Sequence, residues 1–239
     1  MCFHYSLTKE RAEIEIQLGA TWDDDWVPVN YVNGFTFPKM PIITQKDPGS
    51  IVLSNWGLIP HWVKTKADAD KLRAQTLNAR SETVFEKPSF RSYITNNRCL
   101  VIADGFFEWM DFQKKKYPHY IYLRSNAVFC FAGIYSSWTD KETGEHLETH
   151  SILTTGANPM LSRIHNSKER MPVIVPPDQY KKWLTPNLTK AEIQAFFVSY
   201  PETEMQNHTI SKLITSRTEN PNVPEVTEPF IYPELALCE

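Results

Sequence analysis

Apolar residues in the middle of the chain gather in short alternating or continuous runs bounded by turn residues. This is the pattern of strands rather than of long amphipathic helices. Ile51–Trp56 reads as one strand, closed by a turn at Gly57 and Pro60. Cys99–Ile102 is a second, punctuated by Gly105, with Phe106–Trp109 continuing in extended form. His119–Leu123 and Ala127–Tyr135 flank Ser125–Asn126 and are expected to pair as a hairpin. Ser151–Thr155 and Pro172–Val175 add two more strands. Helices belong at the ends and connections. Thr8 is placed to cap a helix running to Leu18 with Gly19 as its stop, although Ile14, Ile16 and Leu18 alternate as a strand would. Ser89 is expected to cap a helix ending near Asn96–Asn97, and Asp68–Gln75 reads as a loop or loose helical turn. Asp178 precedes a helix through Trp183, and T-K-A-E from Thr189 is a capping box before Ile193–Val198. Residues 21–50, dense in Pro, Gly and Asn, are expected to be irregular. The fold class that follows is α+β: a single domain over residues 1–239, a largely antiparallel curved sheet with short flanking helices, and a coil tail over 221–239.

Composition narrows the setting. Hydrophobic residues are 41% and charged residues 22%, enough for an ordinary core, and no Gly/Ser-rich linker divides the 239 residues. A net charge of −3 argues against a surface coated in positive charge but leaves room for a local basic groove. The start lacks the basic end and apolar run of a signal peptide, and no apolar stretch approaches the roughly 20 residues of a membrane span. The four cysteines, Cys2, Cys99, Cys130 and Cys238, form no C-x-x-C pair. A reducing cytoplasm with free thiols and no membrane partner is therefore expected. Cys99 and Cys130, in apolar runs, are expected in the core.

Cys2 is different. Removal of Met1 exposes an α-amine and a thiol on adjacent carbons, with ordinary pKa values of about 8 and about 8.5. The amine condenses with an aldehyde to an imine, and the thiol then closes on the imine carbon to give a thiazolidine. Ring closure is intramolecular and gains from high effective concentration.

Further along stand Asn55-Trp56-Gly57-Leu58-Ile59-Pro60-His61-Trp62, then Asn78-Ala79-Arg80-Ser81-Glu82-Thr83, then Ala103-Asp104-Gly105-Phe106-Phe107-Glu108-Trp109, then Ile164-His165 and Arg170-Met171-Pro172-Val173. With the cysteine at position 2, and in this order, they resemble the SOS response-associated peptidase (SRAP) family of abasic-site-processing proteins. The resemblance runs from Cys2 to about Val175 and more faintly onward. It implies a protein without cofactor that searches single-stranded DNA for abasic sites. There it would capture the open-chain aldehyde through Cys2 as a covalent DNA–protein crosslink. A peptidase activity, chiefly release of the protein's own Met1, and some strand-cleaving lyase potential through the imine are implied as well.

The residues carry matching chemistry. Glu108, between Phe107 and Trp109, would have its pKa raised by burial and serve as acid and base. His165, titrating near neutrality, would shuttle a proton. Asn78 would accept a hydrogen bond from the α-amine. Arg80 and Arg170 would bind phosphates, and Trp56 and Trp62 would wedge or stack against bases. Phe3, apolar and near Cys2, would help shape the pocket without an assigned role, and Lys114–Lys116 reads as a solvated turn. No base-reading motif is present, so binding independent of sequence, by a monomer, is expected.

The chain departs from the family's common Met-Cys-Gly-Arg opening: here it is Met-Cys-Phe-His-Tyr, and His4 stands where a phosphate-binding arginine is expected. Phe35–Met40 also replaces a more usual Pro-Gly turn. Two other readings stay open. One is a cysteine peptidase built on Cys2, His165 and Glu108; the other is a non-catalytic nucleic-acid-binding module. A metal site from Cys2, His4 and a distant His has poor spacing and no second ligand pair.

Overall fold

The computed structural model describes residues 2–22 and 25–235. Met1, whose removal the sequence leads one to expect, and the last four residues of the expected tail lie outside the described residues. The strands are β1 (His4–Leu7), β2 (Val29–Asn33), β3 (Lys39–Thr44), β4 (Ile51–Trp56), β5 (Asn78–Arg80), β6 (Arg98–Ala103), β7 (Gly105–Phe112), β8 (Lys115–Leu123), β9 (Phe129–Thr139), β10 (His146–Gly156), β11 (Arg170–Pro172), β12 (Ile174–Val175) and β13 (Met205–Thr209). The helices are α1 (Arg11–Leu18), α2 (Lys66–Arg73), α3 (Pro159–Ile164), α4 (Tyr180–Trp183) and α5 (Lys190–Gln194).

The architecture is α+β and largely antiparallel, but the strands divide between two sheets. One is an open five-stranded sheet in the order β13-β8-β7-β1-β2. In the other, β10, β4, β3, β6 and β9 follow one another and β9 pairs back to β10, so the expected curvature is carried to closure as a small barrel. Two pairings on β10, with β4 and β5, are parallel. Where β9 and β10 splay apart, Val173 fills the gap: its carbonyl accepts from Ala132 N and its N–H donates to Leu153 O. The sheets meet through Tyr5, Phe106 and Phe131, all fully buried and in ring contact.

The chain passes from barrel to open sheet between β6 and β7, at Asp104. Its buried carboxylate accepts from Ser6 Oγ at 2.7 Å and from Thr8 N and Oγ1 at 2.5 and 2.6 Å. This corner takes the Thr8 hydroxyl that was expected to cap α1. The N-cap is instead Glu10, without a side-chain bond, and Gly19 ends the helix at φ 64° as expected. Gly57 closes β4 at φ 106°, where a side chain would be strained, and donates its N–H to His150 O. Thr189 and Glu192 form the capping box of α5 in full.

Three expectations need correction. The runs flanking Ser125–Asn126 do not form a hairpin: β8 pairs with β7 and β13, while β9 belongs to the barrel. Residues 81–96, where a helix capped by Ser89 was expected, are successive turns. Residues 21–50 contain β2 and β3. The tail as far as 235 is irregular in backbone yet packed: Val226 and Tyr232 are buried, and the Tyr232 hydroxyl donates to Ile210 O at 2.9 Å. Cys99 and Cys130 are fully buried in the core.

Candidate functional site

Cys2 sits just before β1, at the seam between the two sheets. Tyr5 of β1 pairs with Phe106 of β7, and continuing that antiparallel register sets the chain beside Cys2 opposite Glu108. Asn78 opens β5, held in register against Ile152 of β10. His165 caps the C-terminus of α3, whose N-terminus is fixed by the Asn158 side chain accepting from Leu161 N. Four separate elements thus bring Cys2, Asn78, Glu108 and His165 together, and all four side chains are buried.

The contacts are specific. Asn78 Nδ2 donates to the Cys2 carbonyl at 2.7 Å, while its buried Oδ1 has no partner among the described residues. Cys2 Sγ lies 3.5 Å from His4 O as donor. His165 Nδ1 is 2.9 Å from Arg170 O and 3.6 Å from Glu108 Oε1. A carbonyl can only accept, so Nδ1 carries the hydrogen and Nε2 is left as the ring's lone pair.

Burial sets the charge states. It raises the Glu108 carboxyl to about 7, so acid and base forms coexist at neutral pH. It lowers His165 to about 4, with Lys116 and Lys168 adding to the effect. His165 is therefore neutral at pH 7, which corrects the expectation that it titrates there, and its contact with Glu108 is no ion pair. Burial, and then the neighbouring Glu108 charge, pushes the Cys2 thiol well above its ordinary range. A thiol held protonated beside a half-ionised carboxyl and a neutral imidazole can pass its proton to that carboxyl. It does not resemble the thiolate–imidazolium pair of a cysteine protease.

Two clefts open on either side of Phe3. One, of about 420 Å³, is lined by His4, Glu108, Lys116, His165 and Lys168. The other, of about 400 Å³, is lined by Asn78, Arg80, Thr83 and Lys87, and it adjoins a third through Leu72 and Gln75. Trp62, Lys64 and Lys71 stand at that third cleft. Arg80 and Trp62 are exposed along this path, where the sequence led us to expect them.

Arg170 and Trp56 are not on it. Arg170 is buried, with its guanidinium on both Glu82 carboxylate oxygens and on Thr154 O. That pair ties the N-A-R-S-E-T and R-M-P-V segments together and leaves no free fork for a phosphate. Trp56 is fully buried with its indole N–H on Leu77 O, so it stacks on no base. His4 does not replace an arginine's charge. Burial lowers its pKa to about 4, and its Nδ1 is bonded to the Tyr31 hydroxyl at 2.8 Å. Sequence reasoning missed Lys64, Lys71, Lys87 and Lys168, which are scattered singly and carry no motif. It placed Lys116 in a solvated turn. The turn itself is Gln113–Lys114, both at positive φ, and Lys116 lies one residue inside β8.

The model of the family described as SOS response associated peptidase (SRAP) matches residues 1–217. This chain belongs to the SRAP family. The abasic site processing protein YoaM of Bacillus subtilis is 39% identical over 167 residues, 69% of this chain and 70% of that protein. The abasic site processing protein YoqW of the same organism is 37% identical over 196 residues, 80% of this chain and 83% of its own length. A crystal structure of a protein from Bacteroides thetaiotaomicron superposes with a TM-score of 0.89 at 39% identity, covering 96% of this chain and all of that one. A Bordetella bronchiseptica protein at 23% identity and a TM-score of 0.77 shares the SRAP fold. Among the described residues no helix is long and apolar enough to cross a membrane.

Proposed function

We propose that this SRAP protein processes abasic sites in single-stranded DNA, and that Cys2, freed by loss of Met1, captures the lesion covalently. The observation that carries this reading is the convergence of Asn78, Glu108 and His165 on Cys2, with Asn78 Oδ1 buried and unpaired. A free α-amine at Cys2 is the donor that this oxygen lacks.

The steps follow from the charge states. The neutral amine attacks the aldehyde carbon of the open deoxyribose, giving a carbinolamine. Glu108 in its acid form protonates the departing hydroxyl, and water leaves with formation of the protonated imine. The Cys2 sulfur then adds to the imine carbon as its proton passes to the Glu108 carboxylate, leaving a neutral ring nitrogen and Glu108 again in its acid form. The product is a thiazolidine, and one water is lost overall. Because burial holds the thiol protonated, the amine acts first. His165 Nε2 serves as a neutral acceptor for the sugar hydroxyl freed by ring opening.

The string of clefts from Trp62 past Arg80 and Lys87 to Lys116 and Lys168 supports a path for a strand, with the cations on phosphates and Trp62 against a base. A buried Cys2 is reached only by a sugar turned out of the stack, which favours single-stranded over duplex DNA. Release of Met1 by the same groups and strand scission through the imine are the further activities we assign to this site. A monomer suffices for this chemistry, since every group invoked comes from one chain.

Intact mass after mixing the tag-free protein with an oligonucleotide carrying one abasic site tests the proposal. The expected species is protein without Met1 plus DNA minus one water, stable to heat without reductant. A protein lacking Met1 that forms no such species would refute it.

A further inference from the structure

A further cavity, of about 680 Å³, lies between α3, β13 and residues 231–235, and it shares no lining residue with the clefts beside Cys2. Its floor is the face of the open sheet that also carries Glu108, because His119 of β8 is the register partner of Glu108. His119 is 8% exposed. Its Nδ1 is 3.1 Å from Asn207 Oδ1, and its Nε2 is buried with no partner among the described residues. With the amide oxygen of Asn207 accepting, Nδ1 carries the hydrogen and Nε2 is a bare lone pair on a residue that lines the cavity. Asn207 also lines it and keeps its Nδ2 donors for a second partner. An acceptor beside a donor complements the edge of a nucleobase, which offers an N–H next to a ring nitrogen or carbonyl.

The remaining walls fit the rest of such a ligand. Met110, Met160, Ile164 and Tyr232 supply flat apolar contact for a ring, with two thioethers that adapt to its outline. At the mouth stands Arg163, its side chain 69% exposed and only loosely paired, at 3.6 Å, to Glu202. A phosphate is a better partner for a guanidinium than a carboxylate at that distance. We propose that this cavity is a nucleotide-binding site separate from the Cys2 clefts, with the base against His119 and Asn207 and the phosphate on Arg163. The unit can arrive as a free mononucleotide or as one nucleotide of a strand.

The test is the imidazole nitrogen spectrum of the whole protein, titrated with each of the four deoxynucleoside monophosphates, with inorganic phosphate, and with an oligonucleotide free of abasic sites. The His119 Nε2 resonance is expected to move with at least one mononucleotide or with the oligonucleotide, and not with phosphate. Movement with mononucleotide alone identifies a free nucleotide as the source; movement with the oligonucleotide alone identifies a strand. Arg163→Ala and Asn207→Ala, both at exposed side chains, should each weaken the response about tenfold. Capture of an abasic oligonucleotide, read by mass in the same variants, should be unchanged, so loss of capture is scored separately against the reading of Cys2. A His119 resonance that stays put at millimolar nucleotide and with the oligonucleotide would overturn the site, as would a response that both substitutions leave intact.

Discussion

Glu108→Gln should make the protein more stable while it slows capture, and the size of both effects follows from one buried carboxyl. Burial carries Glu108 from the ordinary 4.5 to about 7. A raised folded-state value means that the acid form is favoured in the fold. The associated stability is fully present below pH 4.5 and is lost as pH rises through 7. At pH 8 the lost amount approaches about 3 kcal/mol, and at pH 5 it is under about 1 kcal/mol. Glutamine keeps the shape of the side chain and carries no charge at any pH. The variant should therefore exceed the parent by about 3 kcal/mol in urea unfolding at pH 8 and by little at pH 5. Its rate of thiazolidine formation should fall by a factor of about 100 or more, because an amide cannot give up the proton that expels water. The parent's rate should form a bell between the carboxyl near 7 and an amine near 8, whereas the variant should lose the fall on the alkaline side. Equal stabilisation at pH 5 and pH 8 would refute the burial argument, and an unchanged capture rate would remove Glu108 from the chemistry.

Other substitutions separate the remaining roles. Cys2→Ala should abolish the heat-stable adduct while leaving non-covalent binding of single-stranded DNA, measured by anisotropy, within about twofold of the parent. Asn78→Ala should slow capture by about tenfold, since it removes both the bond to Cys2 O and the acceptor for the amine; equal rates by quenched mass analysis would count against it. Arg80→Ala should weaken binding uniformly across sequences and reduce the dependence of log K on log salt by about 0.7, the value for one phosphate on a single strand. Arg170→Ala should instead act on stability, leaving the buried Thr154 carbonyl without its partner and untying Glu82; a change in salt slope without a change in urea midpoint would restore it to the DNA-binding surface.

What could be read from the sequence divides along the line between local and non-local physics. The capping box at Thr189 and the Gly19 stop depend on residues three or four apart, and both are present in the structure. The supposed hairpin shows the limit. Asn126 does turn the chain, at φ 53°, but β8 already has both edges occupied by β7 and β13, and no local signal reports that. Density of Pro, Gly and Asn hid β3 for a related reason. Pro41 is tolerated there because the pairing with β6 begins only at Ile42, so its missing N–H leaves no gap in that ladder. The candidate site was legible as a set of residue types, but their charge was not. His165 looks like an imidazole that titrates at neutral pH until it is known to be buried against Arg170 O with two lysines near. Trp56 and Trp62 look alike in one aromatic segment, and only the bond from Trp56 to Leu77 O tells core from surface.

The buried polar groups around Cys2 differ in whether the fold itself satisfies them, and this separates support from chemistry. Arg170 has carboxylate and carbonyl partners on Glu82 and Thr154, and Asp104 has three donors at the corner between the sheets. Those residues hold β5, β10, β11 and the start of β7 in place, and a fold gains from them whatever the protein does. Asn78 Oδ1 and the Glu108 carboxyl are set differently. One lacks a donor among the described residues, and the other is kept near its titration point by an environment that disfavours its charge. Each costs stability on its own, and each meets what an amine at Cys2 and an incoming aldehyde bring: a donor for the oxygen, and a hydroxyl and a thiol proton for the carboxyl. Concentrating such costs at one seam, beside a framework tied by the Arg170 and Asp104 bonds, is what a reactive site requires. It is also why replacing Glu108 should strengthen the fold and silence the chemistry in the same molecule.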